Sequence, residues 1–173
     1  MDDVISYKEC WAKTTEEGKP GISVRDHCLN VGCVAEALLA LLPPQLRRLI
    51  PPGAATLAAL HDVGKVSPGF QSKSEAWLVQ HSLRDQALKQ GWRERESDHA
   101  KISQFTVQEL LRTPNSPWPA VVGAHHGRIK GERVQVRETD LLLAGLQVKV
   151  DSCPYCGLTH PSAPSQVISL VYE

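Results

Sequence analysis

A histidine beside an aspartate, His61-Asp62, running into Val63-Gly64-Lys65, puts a neutral nitrogen donor next to a carboxylate. An imidazole can hold one metal ion while the carboxylate is shared with a second, provided that other histidines converge from elsewhere. Alone the dipeptide is weak, because a His-Asp pair at a helix end is also what a solvated cap looks like. Partners exist in three other segments: His27, His99 and the doublet His125-His126. Each is flanked by apolar residues at helical spacing, so imidazoles from separate helices can point inward. Any single one of them, His27 above all, reads more simply as a core histidine. Taken in order, His, His-Asp, His, His-His, they favour a shared site. So histidine-rich a ligand set suits manganese, iron, cobalt or nickel better than magnesium, which stays an alternative.

Such a site needs several helices to deliver its ligands. From Val24 to Leu42 apolar residues recur at spacings of three and four, behind a capping Ser23 and ahead of Pro43-Pro44, which predicts an amphipathic helix with His27 in its first turn. Gln45 to Ile50 predicts a short helix. Ala54 to Val63 predicts an almost wholly apolar, buried one, closed at Gly64 by a left-handed cap. His61 and Asp62 then lie on its last turn, where a buried carboxylate is costly unless a cation pairs it. Ser67 to Gln71 reads as a loop, and Ser74 to Gln90 as one helix with Trp77 and Leu78 inward. A helix capped by Ser97 or Asp98 runs to about Leu111 with His99 in its first turn, Trp118 to Ala124 leads into the doublet, and Glu138 to Val148 carries a last apolar run. No strand pattern is convincing outside the ambiguous Gln166 to Tyr172, so the expected class is all-α.

At 173 residues the chain is long enough for one domain with a substantial core. Lysine plus arginine equals aspartate plus glutamate, 19 each, so no global basic field announces nucleic acid. Any such contact must be local, and Lys89, Arg93 and Arg95 around Trp92, with Arg128, Lys130, Arg133 and Arg137, are the candidates; a solvated mixed-charge surface explains them equally well. Met1-Asp2-Asp3 does not begin a signal peptide, and Val31 to Leu42 is too short and carries Glu36, so neither export nor a membrane span is expected and the cytoplasm is the default. Five cysteines without secretory context are expected to be reduced, with Cys28 and Cys33 packing as small apolar residues. Cys153, Cys156 and nearby His160 make half of a zinc knuckle or a simple tail.

Longer words around these residues resemble the HD nuclease domain of the type I CRISPR-associated nuclease-helicase. Tyr7 and Trp11-Ala12-Lys13 resemble its opening segment, and Asp26-His27-Cys28-Leu29-Asn30-Val31 its first ligand helix. Leu60-His61-Asp62-Val63-Gly64-Lys65, continuing to Phe70-Gln71, is similar to its central signature; Asp98-His99-Ala100 with Ser103 and Val122-Gly123-Ala124-His125-His126-Gly127 resemble its third and fourth elements. Leu143-Ala144-Gly145-Leu146 followed by Asp151 has the layout of its closing aspartate, although Ser152 to Gly157 departs from the Trp-containing helix that the family places next. The resemblance covers roughly residues 5–151.

That resemblance implies an HD-domain helical bundle over residues 1–152, with 153–173 as an irregular tail. It implies one divalent ion held by His27, His61, Asp62 and Asp151, and a second by Asp62, His99, His125 and His126, with Asp62 bridging. Asp62 and Lys65 are the expected catalytic residues, Lys65 contacting the scissile phosphate or its developing charge, unless it is simply a helix C-terminal lysine. The implied activity is metal-dependent cleavage of single-stranded DNA in type I CRISPR interference, alongside a surveillance complex and a helicase subunit or domain. No helicase is expected within this sequence, which would make it a stand-alone subunit, a truncated piece or a remnant. The competing expectations are an HD phosphohydrolase acting on small nucleotides and a non-catalytic remnant with an incomplete metal site.

Overall fold

A computed structural model describes residues 7–111 and 115–141. Among them the chain is helical and contains no strand, the class that the periodicities predict; two isolated antiparallel bridges, Trp11 with Ser23 and Thr14 with Pro20, fold the opening segment back on itself. The α-helices among the described residues are α1 (Val24–Leu41), α2 (Pro44–Arg47), α3 (Ala54–Ala59), α4 (Pro68–Gln71), α5 (Glu75–Gln80), α6 (Arg84–Lys89), α7 (His99–Leu111) and α8 (Trp118–Gly123). No helix among the described residues is long and apolar enough to cross a membrane.

Helix α1 starts where Ser23 predicts: its side chain accepts the Asp26 N–H at 3.0 Å, satisfying one of the donors that a helix N-terminus leaves unpaired. Only Val24 and Cys28 of this helix are fully buried. Val34, Leu38 and Leu41 are exposed, so the apolar stripe is buried over the first turns only, and Cys33 is exposed rather than packed. The middle of α1 crosses α3 closely at Gly32, where an added Cβ would lie 3.0 Å from the Ala59 methyl.

Four expectations change. The apolar run from Ala54 does not continue as one α-helix; it tightens at Leu60 into a 3₁₀ segment, Leu60–Val66, that carries His61, Asp62 and Lys65. Gly64 is not left-handed. Its backbone instead lies against α7, where an added Cβ would collide with the His99 carbonyl oxygen and its N–H donates to Ser103 Oγ at 2.9 Å. The segment read as a loop after it is the short helix α4, capped by Ser67 through a 3.4 Å bond from the Phe70 N–H. The helix read as Ser74 to Gln90 breaks in two at Ser82, which has φ 57°, so that Leu83 can turn into the core at 5% exposure. Trp77 and Leu78 are buried as expected.

The core gathers Trp11, Leu60, Phe70, Trp77, Trp92, Val107 and Val122 from separate elements. Asp98 opens α7, its carboxylate accepting the N–H groups of Ala100 and Lys101 at 3.2 and 3.3 Å. The expected last helix is represented by a 3₁₀ turn, Glu138–Asp140; its continuation, Asp151, the cysteine pair with His160, and the expected boundary at 152 lie outside the described residues.

Candidate metal centre

Four elements deliver five histidines to one carboxylate. Asp62 is 1% exposed and divides its two oxygens between two sets of rings. Oδ2 lies 2.9 Å from His27 Nε2 of α1 and 3.2 Å from His61 Nε2, while Oδ1 lies 3.2 Å from His99 Nε2 of α7 and 3.5 Å from His125 Nε2 after α8. His126 joins the second set through His99, Nε2 to Nε2 at 2.9 Å. His27, His61 and Asp62 thus form one group and Asp62, His99, His125 and His126 another, the donor atoms of each lying within 4.8 Å of one another. Asp62 belongs to both.

The rings are aimed by backbone acceptors. His61 Nδ1 sits 2.8 Å from the Ala58 carbonyl and His125 Nδ1 2.8 Å from the Val122 carbonyl, so the hydrogen-bond network places the ring hydrogen on Nδ1 and leaves Nε2 for the centre. A ring held this way can donate to Asp62 only by carrying a second proton; neutral, it turns a lone pair toward the carboxylate. Burial lowers the pKa of His27 and of His125, the Asp62 charge opposing it at both and the Val122 carbonyl adding its opposition at His125, and so disfavours that second proton. Asp62 Oδ1 and His125 Nε2 are accordingly buried without a hydrogen-bond partner. Two acceptors facing each other at the bottom of a histidine cage need a cation between them, and the donor set fits a divalent transition metal.

Burial alone would raise the Asp62 carboxyl, but the neighbouring His61 and His99 imidazoles and the Lys65 ammonium outweigh it and hold the group well below the usual carboxylate range. The Lys65 part comes from inside the protein. Lys65 is 4% exposed, and its ammonium donates to Asp62 Oδ2 at 2.6 Å and to the Ala12 carbonyl at 3.1 Å. Burial lowers its pKa and the Asp62 carboxylate pushes it back up. Two of the three Lys65 donors thus go to protein acceptors.

Gln71 ties the opening segment to this lysine. Fully buried, it accepts the Trp11 N–H at 3.1 Å and donates to the carbonyls of Trp11 at 2.9 Å and Lys65 at 2.7 Å. Its place in the Phe70-Gln71 word was visible in the sequence, but its bonds join positions 60 residues apart and no local pattern announces them. Lys13, which no local pattern singles out, lies beside the centre: its ammonium is 3.9 Å from Asp62 Oδ2. Of the basic residues proposed for phosphate, Lys130 is held by Asp98 at 2.5 Å, Arg93 by Glu75 at 2.7 Å and Arg137 by Asp140 at 3.1 Å, while Arg128 is exposed just beyond the doublet.

Comparison with known proteins agrees with this geometry. The family model described as "Cas3, HD domain" matches residues 11–144. The CRISPR-associated endonuclease/helicase Cas3 of Thermus thermophilus is 30% identical over 142 residues, a stretch that covers 68% of this chain and 14% of that protein. The chain thus spans only a small part of the length of the relative it matches. No solved structure matches. With most of its length inside the family model and five of the six histidines of that span gathered on Asp62, the chain belongs to the Cas3 HD domain family.

Proposed function

We propose that the chain is a metal-dependent nuclease that hydrolyses phosphodiester bonds of single-stranded DNA, acting with a helicase subunit or domain and a CRISPR surveillance complex. The observation that carries the reading is Asp62, whose two oxygens each face a separate set of histidine nitrogens. The printed name of the Thermus relative, an endonuclease/helicase, supports both the reaction class and the helicase partner. Residues 1–152 are proposed as the nuclease unit and 153–173 as a tail.

His27, His61 and Asp62 would hold one divalent ion, with Asp151 as a proposed fourth ligand, and Asp62, His99, His125 and His126 the other. When bound, such a pair supplies an activated water, orients the phosphodiester and neutralises charge on the leaving oxygen. The protein does the rest. Nδ1 bonds to the Ala58 and Val122 carbonyls fix two imidazoles so that no reorientation is needed on loading. Lys65 keeps Asp62 ionised in a buried position and holds Oδ2 in place; it acts as a positioning residue.

Asp62→Asn should abolish manganese- or nickel-dependent cleavage of circular and linear single strands and reduce bound metal to below about one ion per chain, with the helical circular-dichroism spectrum retained. Full cleavage by that variant would overturn the shared-carboxylate reading. Parent protein that hydrolyses nucleoside phosphates but leaves single strands intact would instead make it a small-nucleotide phosphohydrolase.

A further inference from the structure

Lys13 occupies a position that the metal centre itself does not use. Its backbone is fixed on both sides: the Ala12 N–H donates to the Ile22 carbonyl at 2.9 Å, the Gly21 N–H to the Lys13 carbonyl at 2.8 Å, and Gln71 holds both polar groups of Trp11. Close approach of the returning segment is possible because position 21 is glycine; an added Cβ would lie 2.9 Å from the Lys13 carbonyl oxygen. From this base the side chain reaches the centre, its ammonium 3.9 Å from Asp62 Oδ2 while 55% of the side chain stays exposed. The oxygen it faces already has His27 at 2.9 Å, His61 at 3.2 Å and Lys65 at 2.6 Å. A half-exposed ion pair at 3.9 Å adds little to folding, so this charge is not consumed by structure.

Lys65 is the opposite case, buried and with two of its donors given to protein oxygens. The Lys13 ammonium stands beside the Asp62 oxygen that faces His27 and His61, with its side chain still half-exposed. In a chain of net charge zero, a polyanion has to be held by local cations of this kind.

We infer that Lys13 is the residue that contacts the substrate's phosphate at the mouth of the centre, while Lys65 serves Asp62. The inference rests on the nuclease reading above. An ammonium at the end of a flexible stem meets a non-bridging phosphate oxygen as a point charge, and it can follow successive phosphates of a strand without reading sequence.

The test is binding of a fluorescein-labelled 15-nucleotide oligothymidylate by fluorescence anisotropy over a salt series, for the full chain and for Lys13→Met and Lys13→Arg, with bound metal measured by mass spectrometry. Lys13→Met should weaken binding about fivefold to tenfold and lower the slope of log affinity against log salt by about 0.7, the value for one contact to a single strand. Bound metal and melting temperature should match the parent, and Lys13→Arg should keep most of the affinity. Parent-like affinity and slope in Lys13→Met overturn the inference while leaving the nuclease reading intact. Loss of metal from Lys13→Met, unrelieved by the arginine variant, also overturns it, because Lys13 would then be part of the cage. Failure of the parent to bind the strand overturns the nuclease reading and this inference with it.

Discussion

Asp62 owes its chemistry to the direction of its oxygens. One faces His27 and His61, the other His99 and His125, although the residue is only 1% exposed. Lys65 supplies the buried cation that makes this state tolerable without metal. Removing one partner of a buried pair leaves the other charge uncompensated, at a cost of about 3–5 kcal/mol. Lys65→Met should therefore destabilise the metal-free protein by roughly 3 kcal/mol in urea unfolding, with a smaller loss after manganese or nickel is added. Equal stability of variant and parent in chelator would remove Lys65 from this role. The residue types were all legible in the sequence, since histidines and an aspartate in that order point to a metal. The division of labour between the two lysines was not. Lys65 stands in the signature and Lys13 in the opening segment, and only their burial, 5% against 55% side-chain exposure, separates them.

The segment from Leu60 to Val66 is 3₁₀ rather than α, and it packs its backbone directly on α7. Gly64 is the contact point, with the His99 carbonyl and the Ser103 N–H in the space that a methyl group would need. Forcing a side chain into a packed interface costs about 1–3 kcal/mol, and more where the obstacle is backbone. Gly64→Ala should lower the thermal midpoint and reduce metal retention together, since the same displacement shifts Asp62 away from His99. A variant with unchanged stability and metal content would show that the two segments can separate freely. At this scale the periodicity located α1 and α7, and the local signals Ser23 and Asp98 marked where they begin. It misread Gly64, whose need is for close approach and not for an unusual φ, and it joined α5 to α6 because nothing in the local pattern says that Leu83 must turn inward.

Across the whole molecule the centre is built from chain positions that span most of the described sequence, so loading with metal and folding are linked. Asp151 is the proposed ligand on the His27 and His61 side, opposite the cage of His99, His125 and His126. If it serves there, Asp151→Ala should retain about one ion per chain where the parent holds two by mass spectrometry, the histidine-rich group keeping its own. Two ions retained would exclude Asp151 and assign the position to another group. By itself the sequence determined the helical class, the family and the identity of the candidate ligands, because side-chain type and period are written in it residue by residue. Only the tertiary structure decided that Asp62 is shared between two histidine groups, that Lys65 turns inward while Lys13 stays at the mouth, and that Gln71 joins Trp11 to Lys65. Those outcomes depend on which lone pairs and donors are left facing one another after burial, a property of packing between distant segments that no local pattern encodes.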